Sequence, residues 1–399
     1  MKKFLAVLLT ISLMCCIFVG CAQKQTSSGS ASSTSGSTAS ASAASSGSTA
    51  ASAETSAASQ STGSSSASSS GKKYKIGFSN VWVGNTYGIQ CVNELETYLR
   101  SNDEVGEYYI YNADNDVNKQ ISDIEDLISK GVDMLILQPI SAESVAAVVE
   151  EAHEAGIVVV DCTSPLADAT DEYDVSVVAK DYDFGYIGAK WLCEKLNGKG
   201  NIVCLDGMAG LSSAVLRMQG ATDAFKEYPD IKVLASEYAN WDYATAKPIM
   251  ENLMATYDDI NAVWSSGGDM TRAAIEVWAE SGKPWIPMMG EDCNGFLKLW
   301  AKYQPDGLSC IAVSLPTWLD AYGAELGLQI LDGTYTGEKD VVVDIPTITD
   351  EDVGKYVRED LSDSFWGETH MSEEDIQALY GNGKDGSQGI TGNGAATDH

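Results

Sequence analysis

Short apolar runs, each closed by a polar or glycine-bearing stretch and followed by a segment of helical period, restrict the fold of this chain more than any other feature. Residues 134–137 (MLIL) and 157–160 (IVVV) contain no polar side chain, so a strand built from either must be covered on both faces. Between them, residues 142–155 read as a helix that stops at Gly156. Upstream, Ile121, Ile124, Leu127 and Ile128 recur at helical spacing, and the segment ends at Gly131, where a left-handed residue closes a helix. The alternation continues, with strands expected at 201–205, 232–236, 262–264, 288–289 and 309–313. Helices are expected near 212–228, 243–257, 270–281, 295–303 and 319–331. Apolar strands alternating with helices imply parallel sheets covered on both sides. About ten such units exceed one comfortable sheet. The expected class is therefore α/β, with two doubly wound parallel-sheet lobes, and the first crossing between them is placed near 180–185.

The first 73 residues belong to neither lobe. Lys2 and Lys3 precede an apolar run over residues 4–20, too brief for a comfortable span, and the run ends at Cys21. Residues 18–21 (FVGC) resemble a bacterial lipobox, which marks residues 1–21 as a lipoprotein signal peptide and Cys21 as the lipidated residue. Residues 22–73 are dominated by Ser, Ala, Thr and Gly and offer too little apolar surface to offset ordering entropy. Such a tether spans roughly 40 Å root-mean-square. An extracytoplasmic body held at the outer face of the cell membrane by a lipid anchor alone is the expected arrangement. At the other end, residues 347–380 are acidic with scattered aromatics, Tyr356, Phe365 and Trp366, expected to pack onto the body, and residues 381–399 read as a disordered tail.

Charge excludes several partners. The chain carries 25 Lys and Arg against 57 Asp and Glu. A surface of that sign repels phosphate backbones and anionic lipid, so neither nucleic acid nor a direct membrane-surface contact is expected. Cys91, Cys162, Cys193, Cys204, Cys293 and Cys310 are scattered through the body without metal-ligand spacing. Buried thiols are the simpler reading, and a disulfide remains open. Asp114, Asp116, Asn118 and Glu125 fit a calcium-loop spacing, but Lys119 stands where such a loop needs Gly, and helix capping accounts for them better. No metal, cofactor or catalytic constellation is expected.

In an open α/β sheet, ligands bind beyond the carboxyl ends of the strands. The first strand runs into residues 80–88 (NVWVGNTYG), which display Trp82, Asn85 and Tyr87. Later strand ends supply Asp161, Arg217, Trp241, Asp269, Asp292 and Ser314. Aromatic faces stack on the C–H faces of a sugar, while carboxylates, an amide and a guanidinium pair with its hydroxyls.

At these positions the sequence resembles the type I periplasmic binding proteins, and among them the ribose-binding-like sugar receptors of ABC importers, over roughly residues 74–349. Gly84-Asn85-Thr86-Tyr87 is similar to the opening signature of that family, and residues 119–128 to its second helix. Val158-Val159-Val160-Asp161 resembles the strand that carries a sugar-binding aspartate. Gly207 to Gly210 followed by Arg217 and Gly220 resembles the element carrying a pocket arginine. Trp241-Asp242 and Gly290-Glu291-Asp292 fall where the family places a stacking aromatic and a second aspartate. Three departures stand out: Cys162 where Arg is common, Gly267-Gly268 before Asp269 in place of an Asn-Asp pair, and Ser314 where Gln is frequent. They point to a smaller or differently hydroxylated sugar.

The resemblance implies a three-strand hinge, with crossings near 180–183, 314–315 and 341–346. It divides the body into an N-terminal lobe of residues 74–181 with 315–342 and a C-terminal lobe of residues 182–314 with 343–380. It also implies a monomeric receptor, not an enzyme, that closes on a monosaccharide or similar polyhydroxylated solute and hands it to an ABC permease. The alternative within the same fold is a ligand-sensing partner of a chemoreceptor or sensor kinase. A glycosidase using Asp161 and Asp292 as paired carboxylates is the enzymatic rival.

Overall fold

The computed structural model describes residues 73–389, except 168. The signal segment, the tether with Cys21 and the last ten residues lie outside the described residues. Among the described residues no helix is long and apolar enough to cross a membrane.

The first lobe begins with β1 (Tyr74–Asn80), α1 (Thr86–Ser101), β2 (Val105–Asn112) and α2 (Val117–Lys130). It continues with β3 (Met134–Leu137), α3 (Ala142–Glu154), β4 (Val158–Cys162) and β5 (Val175–Ala179). The second lobe takes α4 (Asp181–Lys195), β6 (Lys199–Asp206), α5 (Ser212–Lys226), β7 (Asp230–Tyr238) and α6 (Tyr243–Thr256). It then adds β8 (Ala262–Ser265), α7 (Gly268–Ser281), β9 (Met288–Gly290), α8 (Asn294–Tyr303) and β10 (Cys310–Val313). The chain returns to the first lobe for α9 (Leu319–Leu331) and β11 (Asp340–Val343) and ends with β12 (Thr347–Ile348), α10 (Val353–Tyr356) and α11 (Glu373–Tyr380).

Two six-stranded sheets result, ordered β11-β5-β4-β3-β1-β2 and β12-β10-β9-β8-β6-β7. All pairings in the first are parallel, and the second departs from the expected parallel order only where β12 runs antiparallel to β10. The chain passes between the sheets after β5, after β10 and after β11. One face of the first sheet packs on α2 and α3 through Ile124, Leu127, Val145 and Val149. Leu95, Leu99 and Leu328 of α1 and α9 cover the other. In the second lobe, Phe184, Leu192, Ala221 and Phe225 of α4 and α5 cover one face, and Met250, Ala274 and Phe296 of α6 to α8 the other. Each such buried Leu, Ile, Val, Met or Phe side chain contributes on the order of 2 kcal/mol.

Local chemistry sets the ends of the helices. Gly131 closes α2 at φ 66°, and Asp116 caps its start by accepting from the Asn118 and Lys119 amides, so the calcium-like spacing is a helix cap. The six body cysteines are all free and buried.

Four further features differ from expectation. β5 follows a polar loop and had no apolar run long enough to announce it, and β11, with alternate residues exposed, is equally weak in sequence. Tyr356 is exposed, whereas Phe365 and Trp366 are buried. Residues 381–389, expected in the disordered tail, form turns that dock on α1, where Gly386 O accepts from Asn93 Nδ2 at 2.9 Å.

Candidate functional site

The loop after β1 is fixed by its own polar groups. Asn85 caps α1, its Oδ1 accepting from the Gly88 amide at 2.8 Å. That cap presents Thr86 and Tyr87 towards the other lobe. The Tyr87 hydroxyl donates to Pro316 O at 3.0 Å, on the second crossing, and its ring meets Trp366 edge-on with centroids 5.3 Å apart.

The second lobe is organised around Arg217. Helices α4 and α5 approach backbone to backbone, because a Cβ on Gly185 would lie 1.7 Å from Arg217 O and one on Gly220 2.0 Å from Tyr182 O. This contact brings Arg217 Nε within 2.7 Å of Asp181 Oδ1. Arg217 Nη1 donates to Ser266 O at 2.6 Å and to Glu291 Oε2 at 3.2 Å. Phe184 and Trp241 flank the guanidinium, at 4.2 and 5.8 Å from their ring centroids. Burial opposes the charge of Arg217, but Glu291 and Asp181 raise its pKa overall. Burial pushes Glu291 up to about 7 against the pull of the arginine, and it raises Asp181 as well. Glu291 Oε1 is buried with no hydrogen-bond partner among the described residues.

Trp241 holds a left-handed backbone at φ 50°, and its Nε1 donates to both Ser266 O (2.9 Å) and Ser266 Oγ (2.8 Å). Its ring packs against Gly207, where a Cβ would come within 2.2 Å of it. Any other residue at 207 would displace this wall.

Between the lobes lies a cleft of about 680 Å³, counting the space open to solvent. Six expected ligand residues line it: Trp82, Asn85, Tyr87, Arg217, Trp241 and Asp269. Gln138, Thr163, Glu291 and Trp366 line it too and were not singled out from the sequence. Asp269 accepts from Thr86 Oγ1 across the lobe boundary at 2.6 Å, and burial raises its pKa.

Asp161, Asp292 and Ser314 are not among the lining residues. Asp161 Oδ2 turns under the following loop to accept from the Leu166 amide (2.9 Å) and from Ser176 Oγ (2.8 Å). Asp292 Oδ2 accepts from the Glu368 amide at 3.0 Å. The Ser314 amide pairs with Pro346 O at 2.9 Å, and its side chain is fully buried. Cys162, where an arginine was looked for, is buried with Sγ 3.7 Å from Leu319 O. The two aspartates of the glycosidase alternative thus both point into protein. Aromatic walls with a few fixed donors and acceptors suit a compact polyhydroxylated solute, whose ring or chain stacks while its hydroxyls find partners.

Comparison with known proteins places the chain. A model of the periplasmic binding protein domain matches residues 76–334. The chain is 32% identical over 267 residues to the xylitol-binding protein of Mycolicibacterium smegmatis, covering 65% of this chain and 72% of that one. It is 27% identical over 264 residues to the ribose import binding protein RbsB of Bacillus subtilis, covering 66% of this chain and 83% of the relative. Among solved structures, a galactofuranose binding protein superposes with a TM-score of 0.64 at 21% identity, over 71% of this chain and 96% of that one.

Proposed function

The chain belongs to the periplasmic binding protein family, and from that premise we propose that it is an extracytoplasmic receptor that captures a monosaccharide or polyol between its lobes. The observation that carries this reading is the Arg217 centre. A buried guanidinium, held by Asp181 and Glu291 and flanked by Phe184 and Trp241, lines the cleft with Asn85 and Tyr87. Asn85, Tyr87, Arg217, Trp241, Trp82 and Asp269 contact the solute in this reading, whereas Asp161, Asp292 and Ser314 support the walls. Relatives that bind xylitol and import ribose favour small polyhydroxylated ligands. The ribose import relative favours delivery to an ABC permease, and in this reading Cys21, in the lipobox-like residues 18–21, carries the lipid anchor. No enzymatic step is assigned to the cleft.

Closure is a hinge motion whose equilibrium the solute shifts through contacts that it makes only in the shut state. Thermal-shift screening against pentoses, hexoses, pentitols and inositols tests the reading. Linkage gives about 2.7 kcal/mol of stabilisation at a hundredfold excess over Kd. A panel in which no sugar or polyol raises Tm removes the reading. Anchoring is tested separately, since Cys21→Ser should release the protein from the membrane fraction.

A further inference from the structure

The family match ends at residue 334, yet a side chain well beyond it lines the cleft. Trp366 is 3% exposed and forms part of the cleft wall, edge-on to Tyr87. Both its backbone groups are held by one side chain of the first lobe: Gln90 Nε2 donates to Trp366 O and Gln90 Oε1 accepts from Trp366 N, each at 2.9 Å. Its indole Nε1 donates to Thr86 Oγ1 at 2.9 Å.

The segment around it is gripped from both lobes. On the second-lobe side, Asn294 donates to Arg358 O at 2.7 Å and accepts from the Arg358 amide at 3.0 Å, while Arg272 pairs with Asp363 at 2.8 Å. On the first-lobe side, the Glu94 carboxylate, buried within α1, accepts from Thr369 Oγ1, from the His370 amide and from Thr317 Oγ1 on the second crossing. Burial raises its pKa. A strap attached to both lobes must either stretch or release one side when they part.

We propose that the C-terminal segment of residues 349–389 is a working part of the receptor: it supplies Trp366 as a specificity-determining wall of the cleft and clasps the lobes beside the hinge. The proposal rests on the solute-receptor reading for its first half only. Trp366 closes the cleft on the side of Tyr87, so its bulk limits the length of solute that fits. Its bonds to Thr86 and Gln90 tie that wall to the first lobe.

Two variants separate this role from simple loss of folding. Trp366→Phe keeps an aromatic body and removes the indole donor, whereas Gln90→Leu severs the backbone clasp at a residue that does not itself line the cleft. Calorimetry with xylitol, D-ribose and myo-inositol on native protein and on Trp366→Phe should show a changed rank order, with at least a tenfold change for the preferred compound. An unchanged rank order and affinities would overturn the wall. If native protein binds none of the three and the wider sugar and polyol panel leaves its Tm unchanged, the solute-receptor reading is what fails, and the clasp is still decided without ligand. Amide hydrogen exchange of α1 and of residues 361–371 should rise together at least tenfold in Gln90→Leu while α6 and α7 stay protected. Unchanged exchange in both segments would overturn the clasp.

Discussion

Thr86 Oγ1, at the first turn of α1, donates to Asp269 Oδ2 of the opposite lobe at 2.6 Å while it accepts from Trp366 Nε1 at 2.9 Å. One hydroxyl therefore joins the first lobe, the second lobe and the C-terminal segment. Thr86→Val keeps the shape of the side chain and removes both bonds. It leaves Asp269 buried without that donor, its other oxygen 3.7 Å from the Cys293 thiol, at a cost of about 1–3 kcal/mol in the closed form. The expected result is a larger radius of gyration by solution scattering without solute, and weaker solute affinity. A variant as compact as native protein would mean that this bond does not hold the lobes.

The Arg217 centre behaves differently, because its charges are buried and answer mainly to one another. Arg217→Met leaves Asp181 and Glu291 buried without their partner, a loss of roughly 3–5 kcal/mol for a broken buried pair. Urea denaturation should show that loss. The triple change Arg217→Met, Asp181→Asn, Glu291→Gln should recover part of the stability while solute binding stays absent. If the triple variant is as unstable as the single one, the loss comes from packing against Phe184 and Trp241 and not from stranded charge.

The fold was legible where chemistry is local. Glycine stops and apolar runs located β3, α3 and β4, and the Lys119 misfit in the calcium-like spacing pointed to the Asp116 cap. The cleft was legible in part, because the rule of reading residues just past each strand finds Trp82, Tyr87 and Trp241 when the loop itself forms the wall. It chose Asp292 over Glu291, since a three-residue strand such as β9 has no alternation from which to tell its two faces apart. Asp161 does stand at the end of its strand, but its orientation is set by the Leu166 amide and Ser176, which belong to a later loop and a neighbouring strand. Trp366 follows no strand, and its place depends on Gln90, 276 residues earlier.

The thiols offer a direct check on burial. All six body cysteines lie in the core, and burial raises the pKa of each. Thiolate is the reactive form, so native protein should react with a disulfide reagent only on the timescale of unfolding, and reductant should leave Tm unchanged. Rapid stoichiometric labelling of native protein, or a Tm lowered by reductant, would contradict this arrangement.

Proton linkage gives a last test, centred on Asp161. Burial pushes its carboxyl up to about 7, against the opposing bonds from Leu166 and Ser176, and burial likewise takes Asp292 and Asp320 to about 7. In the unfolded chain such groups titrate near 4, to within about a unit. Between about pH 4 and 7 the native state therefore holds protons that the unfolded state has released, and stability falls as pH rises through that window. Above about pH 7 both states are ionised and this contribution no longer changes. The net charge of −32 adds self-repulsion of the same sign, so the comparison must be with a variant and not with pH alone. Asp161→Asn keeps an acceptor for Leu166 and Ser176 and cannot ionise. The drop in urea midpoint between pH 5.5 and pH 8 should be smaller in Asp161→Asn than in native protein, with the two converging at the acid end. An equal drop in both would mean that Asp161 is already ionised in the folded protein at pH 5.5.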